Sequence, residues 1–575
     1  MLLSLLLWAD LPFMTYLEKV KHLLAESLSC QVTDFVYPPE TKLGHLSWPL
    51  FSEAAKRKEA APLLAIKLAA ELNNSKKLPA AIKEVRSVGP YLNFFLNPDI
   101  FVLEVGAEII KAGDRFGSQS KKSEAAVMIE YSNGNTHKEL HVGHLRNISY
   151  GDAVTKILAA SGERVIPVSY INDFGIHTAK TIWNWQRQKK YHLALEPKGY
   201  LLGRCYAESV KLIGEDEQAK KEVSEIMKLI EGRQGEVYEL WQETRQWSID
   251  YFNSVYEILN IRFKDTFYES DFIDRGLKIK EELLDRGILK NSEGAVIADL
   301  ESENLGVLPI IRSDGTALYA VADLALASAK FSKYDLSESI YVVDVRQSLY
   351  FQQLFAVLRR MGYQEKMTHL SYDFLTLKSG MMSSRTGNVI TFQEVLDEAE
   401  IRARQEIEKR HDKWSEDKIF KTARALAVSA LKFEMIKIAA DKVITFDIAE
   451  SLRFDGYTAA YLQYTGARAS SLLAKGNNFL NSVQAPNYEE PELVFALKLE
   501  RYSEALDKAA TDRDPSVIAR YLFELAQAFN DYYQQRPILK SPPQVASGRL
   551  RLVHSFSQVL KNGFDLLGLI YLEEM

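Results

Sequence analysis

Two imidazoles three residues apart, in the string His141-Val142-Gly143-His144, are the best-spaced candidates for phosphate chemistry in this 575-residue chain. If the string opens a helix, both histidines share one face of its first turn. They then lie beside backbone N–H groups that have no intrahelical partner and at the positive end of the helix dipole. Gly143 would let an anion approach the backbone, so the arrangement suits a phosphate chain. The plainer alternative is a pair of histidines that caps the helix or packs beneath it, and a metal site would need a third ligand. A second string, Met381-Met382-Ser383-Ser384-Arg385-Thr386-Gly387-Asn388, is small, polar and cationic. Its hydroxyls and backbone groups can hydrogen-bond a triphosphate, and Arg385 or Lys378 can follow the charge of a departing pyrophosphate. Standing alone, it reads sooner as an ordinary Ser/Gly turn.

Both strings need a rigid frame. Ala126-Val127-Met128-Ile129 is a continuous apolar run of the kind buried on both faces of a parallel sheet. A helical period through Leu145, Ile148, Val154, Ile157 and Leu158 stops at Ser161-Gly162, and residues 165–170 read as the next strand. The histidine string therefore falls at a strand-to-helix turn. Runs at 339–343 and 369–375, separated by helical segments, extend the pattern to an open doubly wound sheet. The stretch 178–308, dense in Lys, Glu and aromatics, reads mostly as a helical insertion. Upstream, 15–117 reads as a small α/β domain with helices at 16–28 and 53–72 and a strand at 91–96, followed by a polar linker at 119–124. Beyond about Glu394 the strand signal ends, and helical periods at 422–440, 457–474 and 517–533 predict a bundle, with an acidic, proline-containing loop at 484–492. The expected architecture is thus α/β: a Rossmann-type parallel-sheet domain at 122–395, a small N-terminal α/β domain, and an all-α bundle at 396–575.

Composition narrows the function class. The 71 basic and 77 acidic residues leave a net charge of −6, so any nucleic-acid surface must be a local patch. The two cysteines, Cys30 and Cys205, are far apart, which supports neither a disulfide framework nor a thiolate zinc site and fits a reducing compartment. The apolar run at residues 1–8 lacks a basic flank and is too short to span a bilayer; no export signal is expected, and Met14 is a candidate start.

With both strings on a doubly wound sheet, the chain resembles the class I aminoacyl-tRNA synthetases, whose signatures are His-x-Gly-His and Lys-Met-Ser-Lys-Ser. The fuller resemblance is to the arginyl branch. It is carried by Glu130-Tyr-Ser-Asn-Gly-Asn135-Thr-His-Lys138-Glu-Leu-His141-Val-Gly-His144-Leu-Arg-Asn, by Asp314-Gly-Thr-Ala-Leu-Tyr319-Ala-Val-Ala-Asp323, by Tyr341-Val-Val-Asp-Val-Arg-Gln347, and by Tyr461-Leu-Gln-Tyr464-Thr-Gly-Ala-Arg468. The resemblance implies ATP-dependent activation of L-arginine and its transfer to the 3′ end of tRNA-Arg, with ATP as substrate, Mg²⁺ accompanying it, and no zinc. It places Glu130, Asn135, Tyr319, Asp323 and Gln347 around the arginine. ATP falls to His141, Gly143, His144, Met382, Ser383 and Gly387, and the catalytic set is Lys138, His141, His144, Ser383, Ser384 and Arg385. A guanidinium is planar, permanently charged and best held by carboxylates, and this pocket has two acids and no base.

The chain departs from the family's pattern at several positions. Ser384 stands where the second signature usually has Lys, and by resemblance Lys138 compensates. Gly134 replaces a usual Pro, Ala322 a usual Arg, and Asn172-Asp173-Phe174-Gly175-Ile176-His177 a Gly-Asp-Trp-Gly-Thr-Gln type of segment.

On the RNA side, Tyr464 and Arg468 are candidates for stacking on anticodon bases, and Lys76, Lys77, Lys83 and Arg86 for the tRNA elbow. Aromatics at helical spacing are more often core, and the basic residues are equally a solvated face. A cytoplasmic monomer is expected. The rivals are a synthetase for another amino acid, such as cysteine or glutamate, and a non-catalytic RNA-binding descendant. The acidic pocket opposes the first, and retention of both histidines opposes the second.

Overall fold

The computed structural model describes residues 14–75, 78–193, 196–377, 380–381, 390–476 and 487–575. Helix α1, Tyr16–Leu28, starts at a capping box in which the Thr15 hydroxyl accepts the Glu18 N–H while the Glu18 carboxylate accepts the Thr15 N–H. Strand β1 (Leu46–Pro49) is followed by α2 (Phe51–Arg57), α3 (Ala61–Asn74), β2 (Ile82–Val88) and β3 (Tyr91–Leu96), and the strands form an antiparallel sheet ordered β1-β3-β2. The single helix expected over 53–72 is two. Lys58 ends α2 in the left-handed region, at φ 56°, and Pro62 sits in the first turn of α3, where its missing N–H costs nothing.

After α4 (Pro98–Ala112) the chain enters the main sheet with β4 (Ala126–Glu130), every residue of which is buried. There follow α5 (Val142–Ala160), β5 (Val165–Ile171), α6 (Ile176–Arg187), α7 (Lys198–Ile213), α8 (Glu217–Glu231), α9 (Glu236–Ile258) and β6 (Asp265–Tyr268). Next come α10 (Ile273–Asp285), an antiparallel sheet of β7 (Lys290–Ser292), β8 (Ala295–Asp299) and β9 (Val307–Ile311), then α11 (Tyr319–Lys333), β10 (Leu336–Asp344), α12 (Ser348–Met361) and β11 (Lys366–Tyr372). The main sheet has five strands in the order β11-β10-β4-β5-β6, all parallel.

Two expectations need correction here. The span 178–308 is not only an insertion, because β6 within it pairs with β5 as the edge strand of the main sheet. At four residues, three of them only half-buried, β6 has no apolar run to announce it. The strand expected over 369–375 is also split. It breaks at Asp373-Phe374, and β12 (Leu375–Leu377) joins a separate small sheet with β13 (Gly380–Met381) and β14 (Ile444–Phe446). A strand therefore lies beyond Glu394, where none was expected.

The rest is helical: α13 (Phe392–Arg410), α14 (Glu416–Ile436), α15 (Ala459–Gly476), α16 (Glu490–Glu500), α17 (Tyr502–Asp512), α18 (Pro515–Gln535) and α19 (Pro543–Leu567). Helix α16 begins inside the loop expected at 484–492, with Pro491 in its first turn. This bundle is fastened to α5 by a buried ion pair, in which Lys432 of α14 donates to Asp152 at 2.8 Å and to the Leu259 carbonyl at 3.1 Å. Gly568, at φ 65°, ends α19 directly over that pair. A Cβ there would lie 2.3 Å from Lys432 Nζ and 2.5 Å from an Asp152 oxygen. Gly568→Ala should therefore cost more than the ~1–2 kcal/mol of a left-handed non-glycine residue, since the pair must also shift. A thermal midpoint equal to that of the parent would contradict this. Among the described residues, no helix is long and apolar enough to cross a membrane.

Candidate active site

Strand β4 delivers Glu130 at its C-terminal end, and eleven residues later His141 caps α5. Nδ1 of His141 accepts the Gly143 N–H at 3.0 Å, and Nδ1 of His144 accepts the His141 N–H at 3.1 Å, so the two imidazoles form a capping box. Their ring centroids are 3.9 Å apart. A ring nitrogen that accepts a backbone N–H carries no proton, so a neutral imidazole held this way carries its hydrogen on Nε2. Both rings are neutral: burial first, and then Lys138, lowers His141 to about 4, and burial, His141 and Lys138 take His144 well below its ordinary value. Capping and phosphate binding are thus not alternatives, because the cap fixes the tautomer that leaves two N–H donors. Gly143 leaves room for the His141 ring. A Cβ there would meet His141 Cε1 at 2.8 Å.

Lys138 lies half-buried with Nζ 4.8 Å from the centre of the Tyr206 ring, its pKa lowered by burial and by Lys180. Lys378, Met382, Ser383, Ser384, Arg385 and Gly387 lie outside the described residues. Arg146, one turn into α5 and almost wholly buried, donates to the carbonyls of Phe374 at 3.2 Å, Ala440 at 3.0 Å and Lys442 at 2.8 Å. It thereby ties β12 and the approach to β14 to the helix that carries His141 and His144.

A cluster of acids forms where the ends of β4 and β6 meet α11. Glu130 is buried, with one oxygen bound by Lys330 Nζ and the other by Asn133 Nδ2 at 3.3 Å. Asp323, one turn into α11, accepts the Tyr350 hydroxyl. A third acid, Glu269, comes from the turn after β6, where Asn172 Nδ2 donates to it at 3.1 Å. Burial, then the Asp323 charge, raises Glu269 to about 8. Burial, with Glu130 adding to it and the Tyr350 hydrogen bond opposing, raises Asp323 to about 6. Asp173 is the balanced acid of the group: it takes Arg245 Nε at 2.5 Å and both the N–H and hydroxyl of Ser270, at 2.8 and 2.7 Å, which holds the β6 turn in place.

Among the residues expected around arginine, Glu130 and Asp323 come together, and Tyr319 feels the charges of both Glu269 and Asp323 although its side chain is largely exposed. Asn135 sits alongside, its backbone bridged to Asn172, while Gln347 is an exposed side chain just past the end of β10. Glu269, Lys330, Tyr350 and the role of Asn172 escaped the sequence reading. The signal that could have found Glu269 was its place at the end of a strand, and that strand was hidden in the presumed insertion.

Three family models match the chain in succession: "Arginyl tRNA synthetase N terminal domain" over 16–96, "tRNA synthetases class I (R), catalytic domain" over 107–446, and "DALR anticodon binding domain" over 462–575. The chain belongs to the arginyl-tRNA synthetases. It is 34% identical over 558 residues to an arginine–tRNA ligase of Bdellovibrio bacteriovorus, covering 94% of each protein. A Pediococcus pentosaceus arginine–tRNA ligase is 32% identical, with 98% of this chain and 100% of that protein covered. The solved Thermus thermophilus arginyl-tRNA synthetase superposes with a TM-score of 0.78 at 28% identity, covering 97% and 99% of the two chains.

In this arginyl-tRNA synthetase, the residues considered for RNA contact are unequally free. Tyr464 is partly exposed on α15, and Arg468, one turn on, is bonded to Asn530 Oδ1 and lies 4.9 Å from the Tyr464 ring centre and 5.4 Å from that of Tyr533. The three form a small aromatic-cationic ledge. Arg86 pairs with Glu84 and covers Phe95, Lys83 is exposed, and Lys76 and Lys77 lie outside the described residues.

Proposed function

We infer that the chain is an arginine–tRNA ligase, and that the observation carrying this reading is the three-carboxylate pocket beside two Nε2–H donors. In the first step the ionised α-carboxylate of arginine attacks the α-phosphorus of ATP and pyrophosphate leaves. In the second, a terminal ribose hydroxyl of tRNA-Arg attacks the adenylate carbonyl and AMP leaves. The carboxylate needs no general base at neutral pH, so positioning and charge stabilisation carry the first step.

Glu130, Asp323 and Glu269, with Asn135, Tyr319 and Gln347, take the arginine. His141 and His144 donate to the phosphates over Gly143, and Lys138 with Met382, Ser383, Ser384, Arg385 and Gly387 neutralises the leaving pyrophosphate. Mg²⁺ arrives on the phosphates of ATP as part of the substrate. Among the described residues, no group of three or more His, Cys, Asp or Glu is placed to hold a metal ion. The helical part, 396–575, takes the anticodon through Tyr464 and Arg468, and the N-terminal part, 15–117, takes the tRNA elbow with Lys76 and Lys77. The enzyme works as a cytoplasmic monomer.

The deciding experiment is aminoacylation of total tRNA with each of the twenty amino acids radiolabelled in turn. Label from arginine alone is expected. Charging by another amino acid, or tRNA binding without charging, would overturn the reading.

The pocket also sets a pH dependence. Glu269 at about 8 is mostly protonated at neutral pH, whereas Asp323 at about 6 is mostly ionised. A guanidinium favours the ionised forms of both, so arginine binding releases a proton and its affinity rises as pH increases from 6 to 8, by up to about tenfold per unit for one coupled proton. Calorimetry in two buffers of different ionisation enthalpy should give buffer-dependent heats near neutral pH. Equal heats would mean that Glu269 is already ionised.

A further inference from the structure

Lys330 is a buried cation among the acids, with its charge directed at Glu130. It sits on α11 seven residues after Asp323, and two helical turns apart the two side chains share a face. Asp323 is at the open end of that face and Lys330 beneath it, 0% exposed, with its ammonium on Glu130 Oε2. The rings of Tyr341 and Phe267 lie over it with centres 4.7 and 5.9 Å from Nζ, so water cannot replace the partner. Tyr341 is also the direct cross-strand neighbour of Glu130 in the β10–β4 pair.

A buried ion pair is a poor device for stability alone, since apolar residues of similar volume often do as well or better. This pair is not placed at random in the core. It holds the last residue of the central strand, and that residue's second oxygen accepts from Asn133, in the turn that follows the strand.

We propose that Lys330 is a positioning residue for arginine activation, which fixes the Glu130 carboxylate at the floor of the pocket and offsets one of its three acids. The proposal rests on the reading that this pocket takes the guanidinium substrate. Without Lys330, Glu130 would be a buried carboxylate free to take up a proton or turn away, and the arginine would lose a fixed acceptor while ATP would lose nothing. Three acids without the internal ammonium would also accept other cations less selectively, because their geometry would no longer be set before the ligand arrives.

The test measures arginine-dependent ATP–pyrophosphate exchange in the full chain with tRNA-Arg present, for the parent and for Lys330→Met, Lys330→Gln, Lys330→Arg, Glu130→Gln and Glu130→Gln/Lys330→Met. Lys330→Met should raise KM for arginine by about 30-fold or more while kcat and KM for ATP stay within about threefold, as expected for loss of one partner of a buried pair that acts only on the amino-acid side. Lys330→Gln keeps a hydrogen bond to Glu130 without the charge and should show the same split, so it decides the matter if the methionine variant does not fold. Lys330→Arg, which keeps the charge, should recover arginine KM to within about fivefold.

If Lys330 acts through Glu130, adding Lys330→Met to Glu130→Gln should raise arginine KM less than about twofold further, whereas independent action would multiply the two effects. An unchanged arginine KM in both neutral variants, or multiplying effects in the double variant, would overturn the proposal. No arginine-dependent exchange by the parent would overturn the functional reading instead.

Discussion

The double variant His141→Asn/His144→Gln should fold with nearly the parent's stability and yet form arginyl-adenylate about 10³-fold more slowly, or worse, a loss of the size seen when a preorganised donor to developing charge is removed. The prediction separates two roles of the same rings, the cap made by Nδ1 and the phosphate contact proposed for Nε2. As caps, the imidazoles accept two backbone N–H groups, from Gly143 and from His141 itself. Asn at the N-cap and Gln three residues later offer amide oxygens to the same two donors, so the capping box survives. What the variant loses is the pair of Nε2–H groups that the neutral, Nδ1-accepting rings keep for the phosphates. Replacing both histidines by alanine would confuse the outcomes, because uncapping α5 would cost about 1 kcal/mol on its own account. The measurement is single-turnover adenylate formation alongside a thermal midpoint. If activity persists with the cap intact, the histidines are caps and the phosphates are held elsewhere.

Asp323→Asn should lower kcat/KM for arginine by roughly 10²- to 10³-fold, the equivalent of about 3–4 kcal/mol for a truncated partner of a desolvated charge pair. Its stability effect should have the opposite sign to most core substitutions. The Asp323 charge raises the pKa of Glu269, and the Glu130 charge raises that of Asp323, so in the empty pocket an amide in place of Asp323 removes a repulsion while still accepting the Tyr350 hydroxyl. The thermal midpoint should therefore hold or rise while arginine binding collapses. The Glu269 carboxyl, freed of that charge, should titrate lower, and the buffer-dependent heat of any residual binding should shift to lower pH. An unaltered KM for arginine would remove Asp323 from the pocket. A falling midpoint would mean that its carboxylate is needed for the fold.

The local sequence was enough to place the first signature. An all-apolar strand, a helix whose period begins just after it, and two histidines at the turn put His141 and His144 where β4 and α5 hold them, because burial on both faces and helical repetition are written into consecutive residues. The same holds for the helices near 16–28, 457–474 and 517–533, whose apolar faces recur at regular spacing. Membership of the family was legible for a related reason, since several short strings kept their letters and their order.

What only the tertiary structure decided was which residues share a site. Glu269 joins Asp323 although 54 positions separate them, because β6, too short and too polar to look like a core strand, docks at the sheet edge. Lys330 looks like a surface residue among the polar ends of α11, yet it is wholly buried, and only the fold brings it under Glu130, 200 positions earlier. The three carbonyls on Arg146 and the break that sends β12 toward β14 likewise depend on contacts between distant segments. Periodicity reports the environment of one element at a time. The charge balance of a pocket is a sum over elements, and it does not exist until they meet.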